Sequence, residues 1–396
     1  MRVLLLSDWM SNRGGAEAYI VALRDALRAE GDDVKLLSCG AGAAGEGDAD
    51  MRAYGTDATM AQAFLQVSNP FAASRVRAAV REMKPDAAIV SQFAYHLSPA
   101  ILAALKPVPT IVSMMDYKAI CPLGTRLLPR GDLCKVRAGL VCKTNGCVGI
   151  THWMREQPRY SRIRAAIALA DKVLCPSPWA RRELLEAGID ATVLPLGIRL
   201  GAESSAAPSG NPTFVFSGRL SREKGVAILI AAFAKVVAGF PDARLRIVGD
   251  GPLRRELQAL AAALGIADTV EFTGWVDESE VSARSGDAWA HVCPSLWAEP
   301  FGMAAVESIV RGVPVIASDA GGFQDTVIDG VNGLRFPIGD VASLAECMRA
   351  VAAGKKFPSH RLGQDVIRES AELYGMKRHV LRMREVLSGV VMRGPG

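Results

Sequence analysis

The chain has 396 residues, half of them hydrophobic, 22% charged and 6% aromatic, with a formal net charge of +5. This composition excludes a disordered or fibrous chain, and the length suits two domains better than one. No run reaches the roughly 20 apolar residues of a membrane span. The N-terminus shows no basic-then-apolar leader. The expectation is a cytoplasmic protein whose eight cysteines are thiols or metal ligands rather than disulfides.

In chain order, Arg2–Ser7, Asp33–Ser38, Ala87–Ser91, Thr110–Ser113 and Lys172–Pro176 read as short buried strands. Helical patterns such as Ala16–Ala29 and Ala72–Met83 fall between them. That alternation predicts a doubly wound parallel sheet over residues 1–200. Gly201–Pro212 is small, polar and proline-containing, which suits a linker. The rhythm restarts with Thr213–Ser217, Ala243–Val248, Val270–Thr273, Ala288–Cys293 and Pro314–Ala317, predicting a second α/β domain over 213–372. The tail, 373–396, contains an amphipathic helix expected at Leu373–Leu387. Parallel sheets bind ligands beyond the carboxyl ends of their strands, so the site is expected in a cleft between two such edges.

Charge is uneven along the chain. From Lys118 to Arg164 the basic residues are Lys118, Arg126, Arg130, Lys135, Arg137, Lys143, Arg155, Arg159, Arg162 and Arg164, opposed only by Asp132 and Glu156. Such clustering points to an anionic partner, with a solvated basic loop as the plainer alternative.

Three segments could carry chemistry. In Pro294–Arg311, Pro300 is expected at a helix start, and Gly302 leaves its first turn open to an anion. Glu299 lies just before that turn, and Glu307 is expected two turns into the helix. Carboxylates repel phosphate but accept protons from hydroxyls, so the pattern suits a ligand carrying both groups, such as a sugar nucleotide. As alternatives, Glu299 only complements the helix dipole and Glu307 only faces solvent. Phe214–Gly225 runs from a strand into a loop with Arg219 and Lys224, a fork and a point charge for a diphosphate. Gly14 and Gly15 follow the first strand and open a helix, a weaker close-approach signal.

Together these segments resemble the retaining glycosyltransferases of family 4, which have the GT-B fold of two Rossmann-like domains. Glu299 and Glu307 resemble the family's E-x7-E motif, and Gly218-Arg219-Leu220 through Lys224-Gly225 resembles its G-R-L-x-x-x-K-G loop. Gly14-Gly15-Ala16-Glu17, Val248–Pro252, Phe272-Thr273-Gly274 and Asp329–Gly333 also follow the family's order. The resemblance implies that Glu307 holds the nucleotide ribose and Glu299 the donor sugar, helped by amides of Phe301, Gly302 and Met303. It implies that Arg219 and Lys224 neutralise the diphosphate without a catalytic metal, and that Gly14, Gly15 and Gly218 line the donor site. It also implies a C-terminal helix crossing back to the first domain, and an acceptor on that domain near Asp116, Tyr117 and Lys118. The donor would be a UDP or GDP sugar. With the basic segment, the acceptor is expected to be a phosphate-bearing or lipid-linked glycan at the inner membrane face, and no nucleic acid is expected.

Two features depart from the pattern. Where relatives carry His-Asp-Tyr, this chain has Met115-Asp116-Tyr117, and a thioether cannot donate a hydrogen bond. Where Glu is usual after the Gly321-Gly322 pair, it has Asp325. A weakened enzyme that only binds nucleotide sugars, and an epimerase or phosphorylase on the same frame, are the competing functions. Separately, Cys121, Cys134, Cys142 and Cys147 fall within 27 residues, which suits structural zinc or, lacking close Cys-x2-Cys pairs, unligated thiols in a long loop.

Overall fold

The computed structural model describes residues 1–8, 14–39, 49–199 and 207–393. These divide into two compact units, Met1–Arg130 with Cys134–Gly197 and Met376–Gly396, and Ile198–Gly375 with Gly131–Leu133. Residues 201–206 of the expected linker lie outside the described residues, and 207–212 belong to the second unit.

The first unit holds strands β1 (Arg2–Ser7), β2 (Asp33–Cys39), β3 (Met51–Ala53), β4 (Ala87–Gln92), β5 (Thr110–Ser113), β6 (Lys172–Cys175) and β7 (Thr192–Val193). They form one sheet in the order β3-β2-β1-β4-β5-β6-β7, parallel throughout. Its helices are α1 (Gly15–Ala29), α2 (Thr59–Leu65), α3 (Pro70–Met83), α4 (Ala100–Ala104), α5 (Val141–Thr144), α6 (Ile150–Ile167) and α7 (Pro178–Glu186). Val3, Leu4, Leu5 and Leu6 are fully buried, as expected for a parallel strand covered on both faces. α3 starts two residues before its expected position because the Asn69 carboxamide accepts hydrogen bonds from the Phe71 and Ala72 amides and Pro70 takes the first turn.

The second unit holds β8 (Thr213–Ser217), β9 (Arg244–Val248), β10 (Val270–Gly274), β11 (Ala290–Cys293), β12 (Val315–Ser318) and β13 (Gly333–Phe336). Their order is β10-β9-β8-β11-β12-β13, again parallel, so β8 and β11 are neighbours and end on the same edge. Its helices are α8 (Val226–Val237), α9 (Arg254–Ala263), α10 (Glu278–Ser285), α11 (Met303–Val310), α12 (Phe323–Thr326), α13 (Val341–Ala352) and α14 (Gln364–Tyr374). Phe214, Leu229, Phe233, Ile247 and Leu344 anchor its core.

The expected tail helix is in fact two helices. α14 ends at Tyr374, Gly375 is extended, and α15 (Met376–Arg393) belongs to the first unit. There the Tyr19 hydroxyl of α1 hydrogen-bonds His379 Nε2 at 2.7 Å, and His379 Nδ1 donates to the Pro195 carbonyl at 2.7 Å. Burial pushes the His379 pKa down to about 4, so the ring is neutral. None of the described helices is long and apolar enough to cross a membrane.

Candidate functional site

The second unit's site grows from the ends of β8 and β11. After Ser217 the chain turns through Gly218, Arg219 and Leu220 and makes a single 3-10 turn, Arg222–Lys224. Gly225 then adopts φ 68°, and a Cβ there would lie 1.9 Å from the Pro294 carbonyl oxygen. Only glycine lets the two loops close to this distance. Once closed, the Leu296 amide donates to the Glu223 carbonyl at 2.8 Å. This fixes Lys224 against the second loop.

The result is a linked set of side chains. Lys224 Nζ donates to Glu299 Oε1 at 2.6 Å, and Ser295 Oγ donates to the same oxygen at 2.8 Å. Lys224 also lies 5.5 Å from the Trp297 ring centroid, within cation–π range. Burial pulls the Lys224 pKa down, but the Glu299 carboxylate outweighs it and the net direction is upward, so the ammonium is charged. Its side chain keeps 28% exposure, enough for a ligand to reach it. Arg219 is exposed on the same edge. Ser295 and Trp297 had no signal of their own in the sequence; they acquire a role only through contact with Glu299 and Lys224.

The helix after this loop differs from expectation. Pro300 does not sit at its start: Gly302, at φ 86°, is the N-cap and α11 begins at Met303. The left-handed turn at Gly302 stops the helix from extending back to Pro300. Glu307 is therefore the fifth helical residue, little more than one turn in, and lies 3.8 Å from Arg311. The Phe301 ring is buried against Tyr374, with centroids 5.7 Å apart, so its side chain is not available to a ligand. The first amides of α11, including Met303, have no acceptor within the helix.

Beneath the two loops, His291 of β11 joins their roots. Its Nε2 is 3.0 Å from Ser217 Oγ and its Nδ1 is 3.4 Å from Cys293 Sγ. Burial, then the Arg311 charge, push its pKa down to about 3, and the ring is neutral. Burial pushes the Cys293 thiol up, which keeps it protonated.

In the first unit a small pocket opens at the ends of β1, β4 and β5, lined by Asp8, Gln92, Tyr95, Met115, Asp116 and Lys118 among others. Asp116 and Lys118 are thus brought together as the sequence suggested. Tyr117 is not: it is 1% exposed and points into the core. Neighbouring residues of a turn face opposite ways, and the tyrosine takes the inward one. Lys118 Nζ lies 4.8 Å from the Tyr95 ring centroid, and burial raises the Asp116 carboxyl's pKa. The Met115 sulfur accepts from Ser91 Oγ at 2.9 Å. Asp8, which the sequence reading passed over, receives the Tyr95, His96 and Leu97 amides at 2.7–2.9 Å and builds the pocket wall. Gly14 caps α1 and Gly15 is its first residue; residues 9–13 of that loop lie outside the described residues.

Part of the basic segment is structural. Arg159 is buried, ion-paired with Glu156, and donates to the Ala94 and Pro122 carbonyls at 3.3 and 3.2 Å. Arg126 is buried on Glu183 at 2.7 Å. Arg164 donates to the Ala187 carbonyl at 2.8 Å, and Arg137 to that of Glu186 at 3.0 Å. About a third of the segment, from Ile150 on, is helix α6, with Pro158 inside it, rather than a loop. Cys121, Cys134, Cys142 and Cys147 are free thiols. Burial raises the Cys142 and Cys147 pKa values, and the neighbouring thiols add to it, so the cluster is close in space. Among the described residues, however, no three His, Cys, Asp or Glu side chains are grouped to hold a metal, and the geometry adds no support for zinc.

Two parallel Rossmann-like sheets define the GT-B class of glycosyltransferase folds. Sucrose-phosphate synthase from Thermosynechococcus elongatus shares it with a TM-score of 0.77, at 22% identity over 100% of both chains. So does Anabaena HepE in complex with UDP-glucose, with a TM-score of 0.69, at 19% identity over 98% of this chain and 100% of that one. The "Glycosyltransferase Family 4" model matches residues 13–201, and the "Glycosyl transferases group 1" model matches 201–364. The chain belongs to glycosyltransferase family 4. It is 33% identical to phosphatidyl-myo-inositol mannosyltransferase of Mycobacterium leprae over 220 residues, 54% of each chain. It is also 34% identical to glycogen synthase of Mycobacterium tuberculosis over 164 residues, 41% of this chain and 38% of the other. The chain spans about half or less of the length of these curated relatives.

Proposed function

We propose that the protein transfers a sugar, with retention of anomeric configuration, from a UDP or GDP sugar to a hydroxyl of a lipid-linked or phosphate-bearing acceptor. The observation that carries this reading is the Lys224–Glu299–Ser295 set, in which a charged ammonium and an oriented carboxylate share one strand edge. Lys224 and Arg219 would take the charge that builds on the departing diphosphate, the role a metal plays elsewhere. Glu299 would accept protons from donor-sugar hydroxyls and Glu307 from the ribose. The first amides of α11, at Met303 and beyond, would face the phosphates. The relatives support the donor and acceptor classes: HepE is seen with UDP-glucose, and the mannosyltransferase is named for a phosphatidylinositol. Asp116 and Lys118 line the first unit's pocket and are the candidates to orient the acceptor hydroxyl. Such an acceptor puts the protein at a cytoplasmic membrane face.

The test is a thermal-shift screen over nucleotides and nucleotide sugars, followed by turnover of the stabilising donor with and without acceptor lipid. A UDP or GDP sugar should raise the midpoint, and its consumption should require acceptor. Donor turnover without acceptor would favour an epimerase. Binding without turnover on any acceptor would favour a weakened nucleotide-sugar-binding protein, a reading that Met115 motivates because its sulfur is already occupied by Ser91.

A further inference from the structure

Ser217, His291 and Cys293 have no assigned part in the proposed transfer, yet they form a connected line that ends at the site. His291 and Cys293 are two residues apart on β11 and so share one face of the sheet. β8 pairs with β11 through Val215 and His291, which brings Ser217, two residues beyond Val215, to that face. There His291 Nε2 lies 3.0 Å from Ser217 Oγ, and Nδ1 lies 3.4 Å from Cys293 Sγ. His291 and Cys293 are 1% and 6% exposed, whereas Ser217 is half-buried and is followed directly by Gly218 and the exposed Arg219. The charges of Glu299 and Lys224 both act on Cys293, which places the line under that pair.

The hydrogen-bonding repertoire of each group gives the line a direction. A thiol buried this deeply keeps its proton, and its sulfur is a poor acceptor. The imidazole, buried and with the Arg311 charge acting on it, is neutral and carries a single N–H. An imidazole nitrogen is the better acceptor of the two, so the Cys293 S–H donates to Nδ1. The ring proton is then on Nε2 and donates to Ser217 Oγ. With its oxygen engaged from below, the serine has its own O–H left to turn away from the ring, toward the strand edge. The reverse order would make the thiol sulfur accept from Nδ1–H and turn the serine proton back into the sheet.

We propose that Cys293 and His291 are positioning residues that commit Ser217 to donate its hydroxyl proton to a phosphate oxygen of the donor diphosphate. The line relays orientation only, and no bond to hydrogen breaks along it. This deepens the proposed function, on which it rests, by adding a neutral donor beside the cations Lys224 and Arg219. A donor held in place from below needs no reorganisation when charge builds on the departing diphosphate.

The experiment uses the full chain, with inorganic pyrophosphate, UDP and GDP as probes. Long-range proton–nitrogen correlation spectra of the wild type should show the His291 proton on Nε2. Cys293→Ala should give a mixture of both tautomers, and Cys293→Ser, which keeps a donor, should restore the Nε2 form. In titration calorimetry Ser217→Ala should bind pyrophosphate about 10-fold more weakly than the wild type, and Cys293→Ala about threefold more weakly. Ser217→Thr and Cys293→Ser should recover the affinity. Thermal midpoints record any stability lost around the buried ring separately from these affinities. A wild-type proton on Nδ1, or an unchanged affinity in Ser217→Ala, overturns the proposal while bound UDP or GDP leaves the transferase reading standing. So does a loss in Cys293→Ala that Cys293→Ser does not recover, which would give the cysteine a packing role. A wild type that binds none of the three probes sinks the proposed function, and this inference with it.

Discussion

The loop pair at residues 217–225 and 294–303 and the basic stretch from 118 to 164 both drew attention through their charges, but the folded chain treats them differently. In the loop pair, Lys224 meets a carboxylate at a strand edge and keeps part of its surface open. In the basic stretch, Arg126 and Arg159 sink into the unit and their ion pairs hold helices and turns in place. Charge density along a sequence therefore says little about partners until the internal acceptors are counted. The loops keep reachable charge because their own backbones, through Gly225 and the Leu296 amide, close the structure without it.

This contrast breaks if arginines of the basic stretch prove to act in turnover. Arg159→Met should cost about 3–5 kcal/mol of stability by leaving the buried Glu156 without its main partner, read as a denaturant midpoint, with KM for the donor unchanged in the folded fraction. A donor KM that rises with no loss of stability would move Arg159 into the site. The opposite behaviour is expected at the loops. Glu299→Ala should lower kcat by about 10²- to 10³-fold even in the folded fraction, alongside the stability lost by leaving Lys224 unpaired. Glu307→Ala should mainly raise the donor KM, by about 10-fold. Activity left intact in both would remove the carboxylates from the proposed site.

A smaller effect sharpens the comparison through pH. His291 under the loops and His379 on α15 are held neutral, with pKa values pushed down to about 3 and about 4, both by burial first. Unfolded, each would titrate near pH 6.5. Between these values the unfolded chain binds more protons, so stability rises with pH up to about 6.5 and is flat above it. At pH 5 each neutral ring should cost about 2 kcal/mol relative to pH 7. His379→Asn should flatten the pH slope of the denaturant midpoint, and an unchanged slope would mean the ring already protonates in the folded state.

Much of the fold was legible because its strands are short apolar runs that end in a small or polar residue. Arg2–Ser7, Thr110–Ser113 and Thr213–Ser217 are the observed bounds of β1, β5 and β8. β3 and β7 were not legible, being three and two residues long, below what alternation can reveal, and β13 carries only Leu334 and Phe336 as apolar residues, split by Arg335. Helix α6 was hidden by Pro158 and by arginines whose aliphatic stems and charges are both buried, as at Arg159. At the site, Lys224 and Glu299 were each legible as candidates through the family resemblance, but the ion pair between them was not. Nor was the Ser217–His291–Cys293 relay, since Ser217 and His291 are 74 positions apart and meet only once β8 and β11 pair. The Tyr117 assignment failed on a scale no sequence pattern resolves, the side of a turn on which one ring falls.

Both hydrogen bonds to Glu299 arrive at a single oxygen, Oε1. The carboxylate is aimed by that oxygen, and in the proposed reading the other would serve as the acceptor, so that orientation and recognition would be divided between the two halves of one group. A donor hydroxyl would then meet a carboxylate whose rotamer is already fixed by Lys224 and Ser295.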